Sequence, residues 1–167
     1  RLFLELVESG VREFVMGCGP EDPALYRTVC AHKDDGALPA EVRPVFLVLL
    51  NCWDATYENF KHMPRHWVED TVFSFGMIPY KKEERLFERV VNQFVDLGAR
   101  HLKASVLNNF THGVVEKKYA DICEQIDWAT SLGVSTIRIN DSVGKLYPEV
   151  TAELCDRLVA DYPELTF

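Results

Sequence analysis

Polar residues alternate with isoleucines in the segment 135–140, which runs into a polar turn. A β-strand with this pattern would place Arg138 and Asn140 on one face and the isoleucines on the other. Asp141 and Ser142 follow directly, at the carboxyl end of the strand. In parallel α/β proteins the carboxyl ends of the strands carry the functional groups. We therefore predict Asp141 and Ser142 as catalytic residues and Asn140, with Arg138, as substrate-binding residues.

Asp141 has an alternative role. An aspartate that ends a strand can fix the following turn by accepting hydrogen bonds from backbone N–H groups. Gly144 allows a tight backbone in that turn, and Pro148 suits the first turn of a helix. The sequence leaves open whether Asp141 orients a substrate or only shapes this turn.

The segment 101–107 also alternates, with Lys103 and Ser105 on one face. Neighbouring strands lie about 4.8 Å apart, so Lys103 and Arg138 would be close if their strands pair. Two cations inside a protein cost free energy unless they meet carboxylates or an anionic ligand. We predict that Lys103 and Arg138 bind a substrate carboxylate or phosphate, with Ser105 beside them. A structural ion-pair network is the alternative.

Lys103 could also do covalent chemistry. Burial beside a second cation lowers the pKa of a lysine amine, which activates it to form a Schiff base with a carbonyl substrate. Lys103 is therefore also a candidate catalytic residue of a metal-independent aldolase.

The other polar candidates lie in loops or on a predicted helix. Asn108 and Asn109 follow the second alternating segment and offer amide donors to a substrate oxyanion, and His112 lies in the same loop. We include Asn108 among the substrate-binding residues. His62 and His66 have the i, i+4 spacing of two metal ligands on a helix, but no third ligand is near in sequence, so we interpret them as surface residues.

Hydrophobic patterns predict the elements that position these residues. Strands alternate with helices along the whole chain, which is typical of a parallel sheet with right-handed crossovers. The predicted strands are 11–18, 45–51, 71–78, 101–107 and 135–140, with a further strand opening at 164–167. The predicted helices are 2–9, 21–31, 55–69, 81–97, 114–132 and 149–161.

Two parallel architectures fit this order, and the polar alternation favours a (β/α) barrel. A doubly wound sheet has helices on both faces and would bury Lys103 and Arg138 among apolar side chains, whereas a barrel interior accepts polar groups. No Gly-x-Gly-x-x-Gly follows the first strand, which leaves a dinucleotide-binding sheet without support. Five units cannot close an eight-stranded barrel, so we expect a single partial (β/α) TIM-barrel-type domain over 1–167, an internal fragment of a barrel of about 250 residues.

Composition limits the classes of function. The chain has 167 residues, is 47% hydrophobic and carries a net charge of −8, without a long basic cluster, so nucleic acid is not an expected partner. No apolar run approaches the ~18 residues of a membrane span, and no secretion signal is evident. The five cysteines contain no C-x-x-C pair and predict free thiols. We expect a soluble, cytoplasmic protein with a small-molecule substrate, and a homo-oligomer remains open.

Several of these residues resemble a known family. Gly133, Ile137, Ile139 and the run Asp141-Ser-Val-Gly144 with Pro148 resemble the sixth strand and turn of the metal-dependent carbon–carbon lyases and Claisen-type synthases. That family includes 2-isopropylmalate synthase, homocitrate synthase, 3-hydroxy-3-methylglutaryl-CoA lyase and 4-hydroxy-2-oxovalerate aldolase. The segments from Leu6 to Val11 and from Phe14 to Pro20 resemble the end of its first helix and its second strand.

The resemblance implies an enzyme that makes or breaks a carbon–carbon bond in an oxo acid or acyl-CoA thioester, with a divalent metal (Mg, Mn or Zn) as Lewis acid. It also implies that the metal ligands lie outside this stretch, on the family's first and seventh strands. The segment Leu49–Asn51 lacks the arginine that the synthases have on their third strand, and Ser74–Met77 lacks their fourth-strand histidine. These differences keep a degenerate barrel with a binding or scaffolding role as a third hypothesis.

Overall fold

A computed structural model describes residues 2–21, 23–79 and 84–167. The described residues form five strands that alternate with helices along the chain. In chain order the elements are α1 (Leu2–Glu8), β1 (Glu13–Cys18), α2 (Ala24–Asp34), β2 (Arg43–Val48), α3 (Trp53–Phe60), α4 (Arg65–Asp70), β3 (Val72–Met77), α5 (Glu84–Leu97), β4 (His101–Asn108), α6 (Glu116–Ser131), β5 (Thr136–Asp141) and α7 (Pro148–Asp161).

The five strands form one sheet in the order β1-β2-β3-β4-β5. The pairs β1–β2 and β4–β5 are parallel. Each strand therefore lies beside the next one in sequence, as in a (β/α) barrel, and the predicted fold class is confirmed. Among the residues that the structure describes, no helix is both long enough and apolar enough to cross a bilayer.

The five predicted β-strands are confirmed, but several predicted boundaries and two other elements were wrong. The helix predicted over 55–69 is two helices, because Pro64 takes an extended ψ of 133° and begins α4 as its N-cap. Strand β2 starts at Arg43, whose N–H donates to the carbonyl of Arg12 at 2.7 Å. Residues 81–83 of the helix predicted over 81–97 lie outside the described residues. The strand predicted at 164–167 is a single parallel bridge between Thr136 and Thr166.

The chain divides into two compact units. Unit 1 comprises Arg1–Ser74 and Asn92–His101, and unit 2 comprises Phe75–Val91 and Leu102–Phe167. The single domain expected from the sequence stays a prediction.

An aromatic cluster forms the core of unit 1. The ring of Phe60 on α3 lies 4.8 Å from that of Phe46 on β2 and 4.9 Å from that of Phe73 on β3, centroid to centroid. Tyr26 on α2 lies 5.0 Å from Phe60, and its hydroxyl is hydrogen-bonded to that of Thr71. These rings are fully buried, so they attach the helices to one face of the strands.

A β-bulge interrupts the pairing of β1 with β2 between Val15 and Gly17. At Gly17 the backbone passes directly over the ring of Phe46, since a β-carbon there would lie 2.3 Å from the Cε2 atom of that ring. The bulge therefore needs glycine at this position for space.

Unit 2 has its own core. Ala104, Val106 and Ile137 are completely buried on one face of β4 and β5. The rings of Phe87 on α5 and Trp128 on α6 lie 4.8 Å apart. Helices α6 and α7 contribute further core residues, which include Ile122, Ile126, Ala129, Leu154 and Leu158.

Candidate functional site

The predicted polar residues of unit 2 lie on neighbouring strands. In the parallel register Lys103 faces Thr136, Ser105 faces Arg138, and Asn108 faces Asp141. The side chains of Ser105 and Arg138 contact each other, so both lie on the sheet face opposite the buried Ala104, Val106 and Ile137. We call this the polar face of β4 and β5, which consists of Lys103, Ser105, Thr136, Arg138 and Asn140.

Arg138 and Ser105 form the most closely defined contact of the polar face. The Nε and Nη2 atoms of Arg138 donate to the Oγ atom of Ser105 at 3.0 and 2.8 Å. Ser105 is only 1% exposed, whereas Arg138 is exposed. In the described part of the chain, no carboxylate pairs with Arg138. Among those residues its positive charge has no carboxylate partner, and its exposure makes it accessible to an anionic ligand.

Lys103 lies on the same face, two residues before Ser105 and therefore about 7 Å nearer the amino end of the strand. It is half-buried, as is Asn140 at the other end of the polar face. Lys103 and Arg138 thus contribute two positive charges to one face of two adjacent strands. This placement is the one that the sequence predicts for a carboxylate or phosphate site.

Asp141 shapes the turn after β5. Its carboxylate accepts the N–H groups of Val143 at 3.2 Å and Leu146 at 2.7 Å, and that of Lys145. Desolvation alone would raise the pKa of Asp141, but these hydrogen bonds outweigh it and the pKa is lowered. The geometry favours the turn-forming alternative for Asp141.

Ser142 and Asn108 join the loops that follow β5 and β4. The N–H of Ser142 donates to the carbonyl of Asn108 at 2.8 Å, and the side-chain oxygen of Asn108 accepts the N–H of Asn109 at 2.8 Å. Ser142 is exposed. Arg138 lies three residues before Asp141, about 10 Å along the strand. The predicted residues therefore form two groups, the polar face and the loop residues Asn108, Asp141 and Ser142.

His62 and His66 do not share a helix as predicted. His62 lies in the turn after α3, and His66 lies on α4, because the chain breaks at Pro64. The Nε2 atom of His66 is 3.1 Å from both carboxylate oxygens of Asp34, which also accepts the indole N–H of Trp67 at 2.7 Å. These partners are more than 30 residues apart, so no local spacing could have indicated them.

A metal site does not emerge from the described residues. Within residues 2–21, 23–79 and 84–167, no three His, Cys, Asp or Glu side chains are grouped to hold a metal ion. The five cysteines are free thiols, as predicted. The resemblance implies metal ligands outside this stretch, so the divalent metal stays a prediction.

Unit 1 contains an apolar pocket of about 480 Å³. It lies against α1, β1 and α2, and its lining includes Phe3, Phe14, Leu25, Val29 and Leu38. The polar side chains that reach it are Thr28, whose hydroxyl donates to the carbonyl of Ala24 at 3.0 Å, and the exposed His32. This lining offers apolar contact and no evident acid, base or nucleophile pair.

Comparison with known proteins bears on the fold of the chain. No protein-family model matches the chain, and no curated protein matches it either. The structure is similar to the crystal structure of an HMG-CoA lyase from Brucella melitensis, with a TM-score of 0.56 and 12% sequence identity. The match covers 95% of this chain and 58% of the lyase chain. At this identity the similarity shows a fold of the lyase's (β/α)-barrel type.

Proposed function

We propose that the protein is an enzyme that makes or breaks a carbon–carbon bond next to a carbonyl, in a small oxo acid or an acyl-CoA thioester. Two findings support this proposal: the fold shared with an HMG-CoA lyase, and the polar face of β4 and β5. The resemblance of the Asp141–Gly144 turn to carbon–carbon lyases points in the same direction.

The observation that carries the proposal is the hydrogen bonding of the Arg138 side chain. A guanidinium whose protein partner is a neutral hydroxyl, on the sheet face opposite the core, is suited to a ligand carboxylate. Arginine binds a carboxylate through two parallel N–H···O bonds, which fixes the orientation of the ligand as well as binding it. Lys103 supplies a second positive charge on the same face.

The loop residues have a supporting role in this proposal. Asp141 holds the turn after β5 through backbone N–H groups, and Ser142 joins this turn to the loop after β4. The side chains of Asn140 and Asn108 then lie at the carboxyl end of the strands, where amide groups can donate to a carbonyl oxygen of the substrate.

Use of a divalent metal is part of the proposal. Bound next to a substrate carbonyl, such a metal would act as a Lewis acid. The described residues provide no ligand set for it, and the resemblance implies ligands outside this stretch.

A substrate panel tests this function. The full chain is incubated with 2-oxo acids, their aldol products and 3-hydroxyacyl-CoA thioesters, with Mn²⁺ or Mg²⁺, and cleavage or condensation is followed by mass spectrometry. The proposal expects turnover of at least one compound and loss of that turnover in Arg138→Met. Turnover that is unaffected by Arg138→Met would contradict the assigned role of the polar face.

A Schiff-base aldolase is the second candidate function. The half-buried position of Lys103 on the polar face that also carries Arg138 favours it, since a Schiff base needs a lysine amine next to the bound oxo acid. Borohydride reduction in the presence of a reactive 2-oxo acid would then add the substrate's mass to the peptide that contains Lys103. Lys103→Arg serves as the matched control, since it keeps the charge and cannot form the imine.

A binding or scaffolding role is the non-enzymatic outcome of the same panel. It would follow if oxo acids bind to the full chain with an affinity that depends on Arg138, while no compound is turned over with any metal. A cytoplasmic location and a homo-oligomeric state stay predictions, tested by fractionation and by light scattering.

A further inference from the structure

We infer that Ser105 is a positioning residue that fixes the guanidinium of Arg138, so that one of its N–H edges is presented to a ligand carboxylate. This inference rests on the proposed function, because it specifies how the polar face binds its anion. It also gives Ser105 a different role from direct contact with the substrate.

The hydrogen-bonded atoms show which edge of the Arg138 guanidinium contacts Ser105. Arg138 uses Nε and Nη2 toward Ser105, and these two atoms form the side edge of the planar guanidinium. The end edge, formed by one N–H of Nη1 and one of Nη2, has no hydrogen-bond partner among the residues that the structure describes. Two parallel N–H groups on one edge match the two oxygens of a carboxylate.

Ser105 is suited to this role because it is itself held in place. It is 1% exposed, and its carbonyl accepts the N–H of Ile78 at 2.8 Å, so both its backbone and its side chain are held in place. The parallel register places it directly opposite Arg138. A long arginine side chain otherwise loses rotamer freedom when it binds a ligand, and the contact with Ser105 removes much of this cost before binding.

The hydroxyl of Ser105 accepts both N–H groups of Arg138, which occupies both of its lone pairs. Its own proton must then point away from the guanidinium. A direct hydrogen bond from a ligand N–H or O–H group to Ser105 is therefore not available while Arg138 is in place. The Ser105 proton remains a donor, but Ser105 is only 1% exposed, so we assign its effect on a ligand to its contact with Arg138.

The first arm of the experiment needs no ligand. In ¹⁵N NMR spectra of the full chain, the Nε–H signal of Arg138, assigned by its loss in Arg138→Met, should be sharp and restricted in motion. Ser105→Ala should make it mobile and exchange-broadened, and Ser105→Thr, which keeps the hydroxyl, should restore it. An unchanged Nε–H signal in Ser105→Ala would overturn the inference.

The second arm measures binding of pyruvate, a carboxylate probe, and of inorganic phosphate by calorimetry. Ser105→Ala should weaken pyruvate binding about 5-fold, the worth of one hydrogen bond. It should have no further effect in Arg138→Met, because Ser105 acts through that residue. Urea unfolding of each variant verifies that the protein is folded.

The outcomes separate the inference from the proposed function. If Arg138→Met weakens pyruvate binding and Ser105→Ala does not, the positioning role is wrong and the proposed function stands. Equal effects of Ser105→Ala with and without Arg138 would show that Ser105 contacts the ligand directly, which also overturns it. If neither variant changes binding, or if phosphate binds and pyruvate does not, both the carboxylate site and its positioning are wrong.

Discussion

Two arginines of unit 2 have opposite surroundings. Arg157, on α7, donates from Nη1 and Nη2 to both carboxylate oxygens of Glu116 on α6, at 2.9 and 3.0 Å. Its guanidinium also lies 3.7 Å from the ring centroid of Tyr119. Arg138, on β5, contacts the neutral hydroxyl of Ser105 instead.

The difference separates an arginine used for structure from one that is suited to a ligand. The end edge of Arg157 is occupied by Glu116, and its flat side is covered by an aromatic ring, as expected where a cation joins two helices. Arg138 is held by its side edge, and no carboxylate in the described part of the chain pairs with it. The following predictions test this contrast.

The largest expected effect is on binding by Arg138→Met. Loss of the guanidinium should weaken carboxylate substrate binding by about 1.5–3 kcal/mol, the worth of a charged hydrogen bond, with little change in stability. Calorimetry and urea unfolding measure the two quantities. An unchanged affinity together with a large loss of stability would show that Arg138 is a structural residue like Arg157.

Asp141→Asn should have the next largest effect, this time on stability. The variant loses the negative charge that accepts three backbone N–H groups, so its thermal unfolding midpoint at pH 7 should fall. The lowered pKa of Asp141, held down against desolvation by those N–H groups, gives stability that is present above about pH 4 and lost as the pH falls below it.

Measuring the free energy of unfolding at acid pH tests whether stability falls in this direction. The wild type should lose more stability than Asp141→Asn between pH 4.5 and 2.5, two values chosen to bracket an ordinary aspartate pKa. Asp156→Asn, which changes an exposed carboxylate of α7, is the matched control and should follow the wild type. Parallel curves for wild type and Asp141→Asn would contradict the turn-forming role.

Arg157→Met should have a smaller effect, and only on stability. The variant loses an exposed ion pair and a cation–π contact, which should lower the thermal midpoint by about 2–4 °C. Substrate binding should stay at the wild-type value. If Arg157→Met weakened binding as much as Arg138→Met, the contrast between the two arginines would fail.

The smallest expected effect is on the pH dependence of stability and comes from His101 in unit 1. Its pKa is lowered, first by partial burial and then by the positive charge of Arg43, against the opposing charges of Asp70 and Glu13. Arg100 lowers it further. The stability that the neutral ring contributes is therefore present above about pH 6.5 and lost as the pH falls below it.

Urea unfolding between pH 7 and pH 5 measures this effect. His101→Gln should show a flatter decline of unfolding free energy than the wild type over that interval. His62→Gln, at an exposed turn position, is the matched control and should decline like the wild type.

Much of the fold could be predicted from the sequence because its patterns are local. The period-2 alternation at 101–107 and 135–140 defines which side chains share a face, and burial of Ala104, Val106 and Ile137 agrees with it. The boundary errors had specific physical causes. At Pro64 an extended backbone ends one helix and begins another, and at Arg43 a hydrogen bond to a distant carbonyl extends the strand.

The candidate site was less accessible to sequence reasoning. The alternation places Lys103 and Arg138 on a common face, but only the strand register pairs Arg138 with Ser105 rather than with Lys103. The choice between the two roles of Asp141 depends on the turn geometry, since the same residue types at the same spacing allow both. Local patterns predict faces, and long-range register defines partners.

The bulge at Gly17 has a consequence for how the sequence can change over time. A side chain at position 17 would enter the space of the Phe46 ring, and neither residue can be enlarged independently. A drift from Gly17 to alanine would be tolerated only after position 46 had become smaller, and the reverse order would pass through a poorly folded intermediate. The two positions are therefore expected to evolve as a linked pair, with Phe46 as the site that must change first.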